Sequence, residues 1–141
     1  MKPINYLYLS VFALSVLSCK KEKNKDCAFN EANLSGNYKI SGIKYKETST
    51  SPAADGSSFY DACELDDVIT FNSNNTYSNT DAGTQCDPSN DYDGTWSITN
   101  NALIVDGDTI STSDFSCSGF SMIQSDVFET GDQLTITFKK Q

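Results

Sequence analysis

The chain has 141 residues, room for one domain, and a net charge of −9 from 10 lysines, no arginine, no histidine and 19 carboxylates. Without histidine it lacks the usual general base near neutral pH and the commonest metal ligand; without arginine it lacks the bidentate clamp for phosphate or carboxylate. The acidic balance excludes nucleic acid, whose phosphates are held by basic side chains, and the residue types argue against an enzyme or a resident cofactor.

Residues 1–18 read as an export signal. Lys2 supplies the positive start, and Tyr6 to Leu17 form an apolar run broken only by Ser10 and Ser15, too short to span a bilayer comfortably. The run ends in Val16-Leu17-Ser18-Cys19, which resembles a bacterial lipobox. That resemblance implies cleavage before Cys19 and lipidation of its thiol, with the two or more chains that stable anchoring needs. The uniformly polar residues 20–26 read as a solvated tether, so that 19–33 precede a folded domain over 34–141. Lys20, rather than Asp, after Cys19 resembles sorting to the outer membrane. The expected location is therefore the cell envelope, with a monomer held to the membrane through its lipid alone.

With Cys19 lipidated, Cys27, Cys63, Cys86 and Cys117 remain. An even number in an exported domain suggests two disulfides; the absence of C-x-x-C spacing and of histidine argues against zinc.

From residue 34 onward, short alternating runs separated by turn residues predict an all-β domain. The first strand covers 36–46, with Tyr38, Ile40, Ile43 and Tyr45 inward and a phase slip at Ser41-Gly42 that reads as a β-bulge. A polar loop over 47–62 leads to a strand over 63–71 carrying Leu65, Ile69 and Phe71. A turn over 72–75 opens a strand over 76–80, and a second long loop covers 81–93. Strands follow over 94–98, 102–105, 109–115, 120–128 and 133–138. Eight sequential strands on short connections predict an antiparallel up-and-down meander, whose closure into a β-barrel removes exposed edges.

These residues carry a resemblance. Leu34-Ser35-Gly36-Asn37-Tyr38 resembles the opening Gly-x-Trp motif of lipocalins, with Tyr in place of Trp. Cys63-Glu64-Leu65-Asp66-Asp67, Phe71, Cys86-Asp87-Pro88 and Gly94-Thr95-Trp96 are similar to the lipocalin-like lipoprotein domains of Bacteroidetes. The resemblance implies a lipocalin-like barrel in the cell envelope and fixes no ligand.

Successive connections of a meander alternate between two poles. Both long loops fall at one pole, the expected mouth, and the short turns at the other, the expected closed end. No basic residue occurs between Glu47 and Phe138, and the mouth connections carry Glu47, Asp55, Asp61, Asp81, Asp87, Asp91, Asp93, Asp106, Asp108, Glu129 and Asp132. The expected molecule is acidic at its mouth and basic near its anchor. Polarity also predicts the disulfides. Cys63 and Cys86 fall at the mouth and nearly face each other if the 72–75 turn sets Phe71 opposite Thr76; Cys27 and Cys117 fall at the closed end.

Particular residues offer groups that could carry chemistry. Glu64, Asp66 and Asp67 offer carboxylates, but Asp66 and Asp67 are neighbours on a predicted strand and would point to opposite faces. The loop carrying Asp87, Asp91 and Asp93 is rich in oxygen ligands of the kind calcium prefers, although Asx-rich turns of this sort also occur without metal. Tyr38, Ile40, Phe71, Trp96, Leu103, Leu134, Ile136 and Phe138 are the candidate interior residues, lining a ligand cavity or filling the core. Asp108-Thr109-Ile110 resembles a bacterial O-glycosylation sequon at Thr109. A cavity above about 300 Å³ lined by these residues favours a binder over a filled, structural or protein-interaction barrel. With an acidic rim and no arginine, the compatible partners are small neutral or cationic apolar ligands, or a basic protein surface.

Overall fold

The computed structural model describes residues 27–141; Cys19 and the predicted export signal lie outside them. Nine strands follow in chain order: β1 (Gly36–Lys46), β2 (Ala54–Asp55), β3 (Val68–Phe71), β4 (Thr76–Thr80), β5 (Tyr92–Thr99), β6 (Ala102–Val105), β7 (Asp108–Ser116), β8 (Gly119–Ser125) and β9 (Gln133–Lys140). From β3 to β9 each strand pairs antiparallel with the next, and β1 pairs with both β3 and β9. The result is a closed, eight-stranded, up-and-down barrel; two-residue β2 is an extra flap on the upper end of β1.

The alternation of β1 works as expected. Tyr38 and Ile43 are buried, and the register against β9 shifts between Ile40 and Gly42, where the phase slip predicts a bulge. Gly36 sits at φ +142°, a backbone conformation that L side chains rarely adopt, so the opening motif favours glycine at that position.

Three differences from the sequence reading have a local cause. The third strand begins at Val68 rather than Cys63, because the segment before it is drawn out of the sheet by its own carboxylates. Glu64 accepts from Asp61 N at 2.7 Å, and Asp66 accepts from Thr84 N at 2.9 Å. Asp66 therefore ends a turn and Asp67 leads into the strand, so the two are not strand neighbours on opposite faces. The eighth strand ends at Ser125 rather than 128, because Asp126 turns left-handed at φ 56° and the next three amides are captured by Asp132. The β3–β4 turn is one residue longer than expected: Asn75 adopts φ 65°, and Phe71 faces Tyr77 instead of Thr76.

At the closed end, the predicted tether contributes to the fold. Asn30 caps the single-turn helix α1 (Glu31–Leu34) by accepting from Asn33 N at 2.9 Å, and Leu34 is fully buried. Phe29 packs edge-on against Phe115 at 4.8 Å, and Lys140 Nζ donates to Asn33 O at 2.8 Å while lying 5.6 Å from the centre of the Tyr38 ring. The packed domain thus begins before residue 34. Disulfides join Cys27 to Cys117 and Cys63 to Cys86, the pairs expected from polarity.

Candidate functional site

The barrel interior divides into a filled half and an open half. Below, Tyr38, Phe71, Trp96, Leu103 and Phe120 are buried together. Their rings interlock: Tyr38–Phe120 at 5.2 Å, Phe71–Trp96 at 5.3 Å and Tyr38–Phe71 at 5.9 Å, all edge-on. Polar ends are satisfied within this layer. Tyr38 donates its hydroxyl to Leu34 O at 2.7 Å, and burial pushes its pKa up to about 12. Trp96 Nε1 donates to Asn72 O and Thr76 O, both at 3.0 Å. Gly94 of the Gly-Thr-Trp motif lets Tyr77 and Asp106 approach where a Cβ would collide with both.

Above this layer lies a cavity of about 270 Å³. Its floor is apolar, made by Ile40, Ile69, Met122, Ile136 and Phe138. Its polar side carries Tyr60, Glu64, Asp67, Asn79, Asn90 and Tyr92. Of the eight candidate interior residues, Ile40, Ile136 and Phe138 line this cavity. Tyr38, Phe71, Trp96 and Leu103 lie in the packed layer beneath, and Leu134 is buried where its Cδ1 approaches Gly56. The volume falls just short of the roughly 300 Å³ expected of a small-molecule pocket, and most of the walls come from residues outside the expected set.

The missed wall residues sit on the segment that leaves the sheet. The β1–β3 ladder covers only three pairs, Gly36 to Tyr38 against Phe71 to Ile69. Above it, the chain before β3 closes the wall, pinned by Cys63–Cys86 and bringing Tyr60 and Glu64 inward. A signal for Asn79 was present in the sequence: it alternates with Tyr77 on a buried face, and a polar residue at an inward strand position marks a lined space or a network.

Here it serves a network. Asp67, buried, accepts from Asn79 Nδ2 at 2.8 Å, Asn90 Nδ2 at 2.9 Å and Ala82 N at 3.3 Å. Asp81, also buried, accepts from Cys86 N and Asn90 N. The calcium candidates Asp87, Asp91 and Asp93 are not gathered into a ligand set. Asp91 is used by Asp81 N at 2.7 Å and Ser89 Oγ at 2.9 Å, and among the described residues no group of three carboxylate or thiol side chains is placed to hold a metal ion. Thr109 is exposed at the start of β7.

Much of the acidic mouth is thus a set of loop clamps. Asp106 accepts from Thr95 N at 2.7 Å and Tyr77 Oη at 2.8 Å, which holds its carboxyl below the usual range. Asp132 is only 1 % exposed, and desolvation pushes its carboxyl upward. Three backbone amides, from Val127, Phe128 and Glu129, together with the Tyr45 hydroxyl outweigh that push and hold it low. Asp55 and Asp91 are held low by backbone amides in the same way. A carboxylate whose folded pKa is depressed contributes stability above its unfolded pKa of about 4, lost as pH falls through the folded value. We expect the melting temperature to be flat near neutrality and to fall steeply below about pH 4. Asp132→Asn should lower it at pH 7 and flatten the acid limb; an unchanged limb would show that Asp132 is not one of the groups responsible.

A closed up-and-down barrel of eight strands, packed at one pole and hollow at the other, is the architecture of small closed sheets whose interior side chains fill or leave partly open. The sequence agrees with this geometry: residues 34–136 match the family model described as "Lipocalin-like domain", and the chain belongs to that family. Comparison with curated proteins and with solved structures returns no significant match.

Proposed function

We propose that this protein is an envelope lipoprotein that holds a small neutral or cationic apolar ligand in the mouth of its barrel. The observation that carries the reading is the cavity itself, with an apolar floor beneath two carboxylates and no basic side chain in its lining. Burying a fatty-acid carboxylate there would leave it without a counter-charge, at a cost of several kcal/mol. The packed aromatic layer beneath also leaves no room for a long chain.

Anchoring through Cys19 is supported by the lipobox resemblance and by polarity. Cys27 is bonded to Cys117 beside the β7–β8 turn, so a lipid at Cys19 would hold the closed end toward the membrane and leave the mouth free. The second reading, a protein-interaction barrel, draws on one observation: Phe59 and Phe128 are 45 % and 55 % exposed and pack in a tilted pair at 4.7 Å beside the mouth.

Two measurements test the proposal. Cys19→Ala should abolish incorporation of a palmitate analogue; retained label would refute the anchor. Octan-1-ol should bind the oxidised chain from residue 20, which carries every strand and both disulfides, and Met122→Trp should block it by filling the floor. Octan-1-ol binding that survives Met122→Trp would place the ligand elsewhere.

A further inference from the structure

We infer that the mouth cavity is a receptor for a small organic ammonium ion with a short apolar tail, its head group held by Glu64 between Tyr60 and Tyr92. The inference rests on the reading above that the cavity takes a ligand, and narrows it to one charge.

The two carboxylates of the cavity differ in what they have left to offer. Asp67 is already met by two side-chain amides and a backbone amide. Glu64 has one oxygen engaged, by Asp61 N at 2.7 Å. Its other oxygen has no protein partner among the described residues, and Glu64 is only half-buried, so that oxygen can still accept from a ligand. A ligand with no donor covering it would leave it unsatisfied, and an alcohol would return a hydrogen bond but no charge. An ammonium group returns both a charge and a donor.

The tyrosines point the same way. Neither the Tyr60 nor the Tyr92 hydroxyl has a protein hydrogen-bond partner among the described residues, while both rings line the cavity with Glu64. Burial raises the pKa of each. The Glu64 carboxylate pushes Tyr60 further up and the Asp67 carboxylate does the same to Tyr92, so the space between them lies in a negative field. Aromatic faces beside such a field suit a cation. A bare metal ion is a poorer fit, since it needs several oxygen ligands in a shell and only one carboxylate oxygen is free.

Size completes the description. A volume of about 270 Å³ equals about nine waters of liquid, which suits a ligand of about nine or ten non-hydrogen atoms. Octylammonium has that size, with a tail matched to the Ile40, Ile69, Met122, Ile136 and Phe138 floor.

The test is calorimetric titration of the oxidised chain from residue 20 with octylammonium chloride, octan-1-ol and sodium octanoate. Octylammonium should bind about tenfold tighter than octan-1-ol, and octanoate should not bind detectably. Glu64→Gln keeps an acceptor for Asp61 N, so the wall should hold. It should erase most of the preference for the ammonium and leave octan-1-ol binding within about twofold. Tyr92→Leu should weaken the ammonium more than the alcohol. Equal binding of ammonium and alcohol, or a preference that survives Glu64→Gln, overturns this inference and leaves the ligand-cavity reading intact. Failure of all three to bind a chain that melts cooperatively overturns both.

Discussion

Replacing Cys27 and Cys117 together with alanine is expected to destabilise the domain by about 4 to 5 kcal/mol, against about 3 kcal/mol for the Cys63 and Cys86 pair. The two bonds close loops of very different length, with sequence separations of 90 and 23 residues, and the chain-entropy cost of leaving a loop open grows with its length. The longer bond also fastens the plug of the closed end, where Leu34 is fully buried and Phe29 packs on Phe115. The functional consequences should run in the opposite order. Cys63–Cys86 pins the wall that carries Tyr60, Glu64 and Asn90, so its loss should loosen the cavity and weaken ligand binding while most of the stability remains. Urea midpoints of the two double variants, with octan-1-ol titrations of each, check both orders. A larger stability loss from the Cys63 and Cys86 pair would show that wall packing, not loop closure, dominates.

How far the sequence could be read follows from the range of the interactions involved. The barrel was legible because its signals are local: period-two alternation in β1 and β9, glycine at the bulge of β1, and Asn- and Gly-rich turns between short strands. The disulfide pairs were legible for a topological reason, since a meander alternates poles and only one pairing keeps each bond at one pole. The cavity wall was not legible. Residues before Val68 look like a strand by composition, and leave the sheet only because Asp66 and Asp67 find amides more than ten residues away on the loop after β4. The same holds for the end of β8. Val127 and Phe128 continue an apolar pattern, yet Asp132 takes their amides and turns the chain.

These captures also change the meaning of the acidic mouth. By composition it is a field of like charges; in the fold, Asp55, Asp81, Asp91, Asp106 and Asp132 are each turned onto backbone amides. Loops with few apolar residues are held by charge-assisted hydrogen bonds in place of a core. Glu64 keeps an oxygen free because its place in the wall exposes it to the cavity.

Phe120→Ala should be the most damaging single truncation in the lower layer and should also lengthen the cavity. Phe120 is 2 % exposed, stacks on Phe138 at 5.2 Å, and meets Tyr38 at 5.2 Å and Phe71 at 6.1 Å. It therefore stands between the packed layer and Phe138, which is part of the cavity floor. Removing a buried ring of this kind costs about 3 to 5 kcal/mol, because its neighbours, fixed in a closed barrel, collapse only partly into the void. The space left would lie against Phe138, and a small rotation of that ring would join it to the cavity above. Binding as a function of tail length reads this directly. In the parent chain, affinity for n-alkanols should stop rising near octan-1-ol; in Phe120→Ala it should continue to rise to decan-1-ol. A variant that loses stability with no change in the preferred tail length would mean that Phe138 holds its place and the lower layer is sealed from the cavity. A loss below about 1 kcal/mol would mean that the aromatic layer is not packed as described.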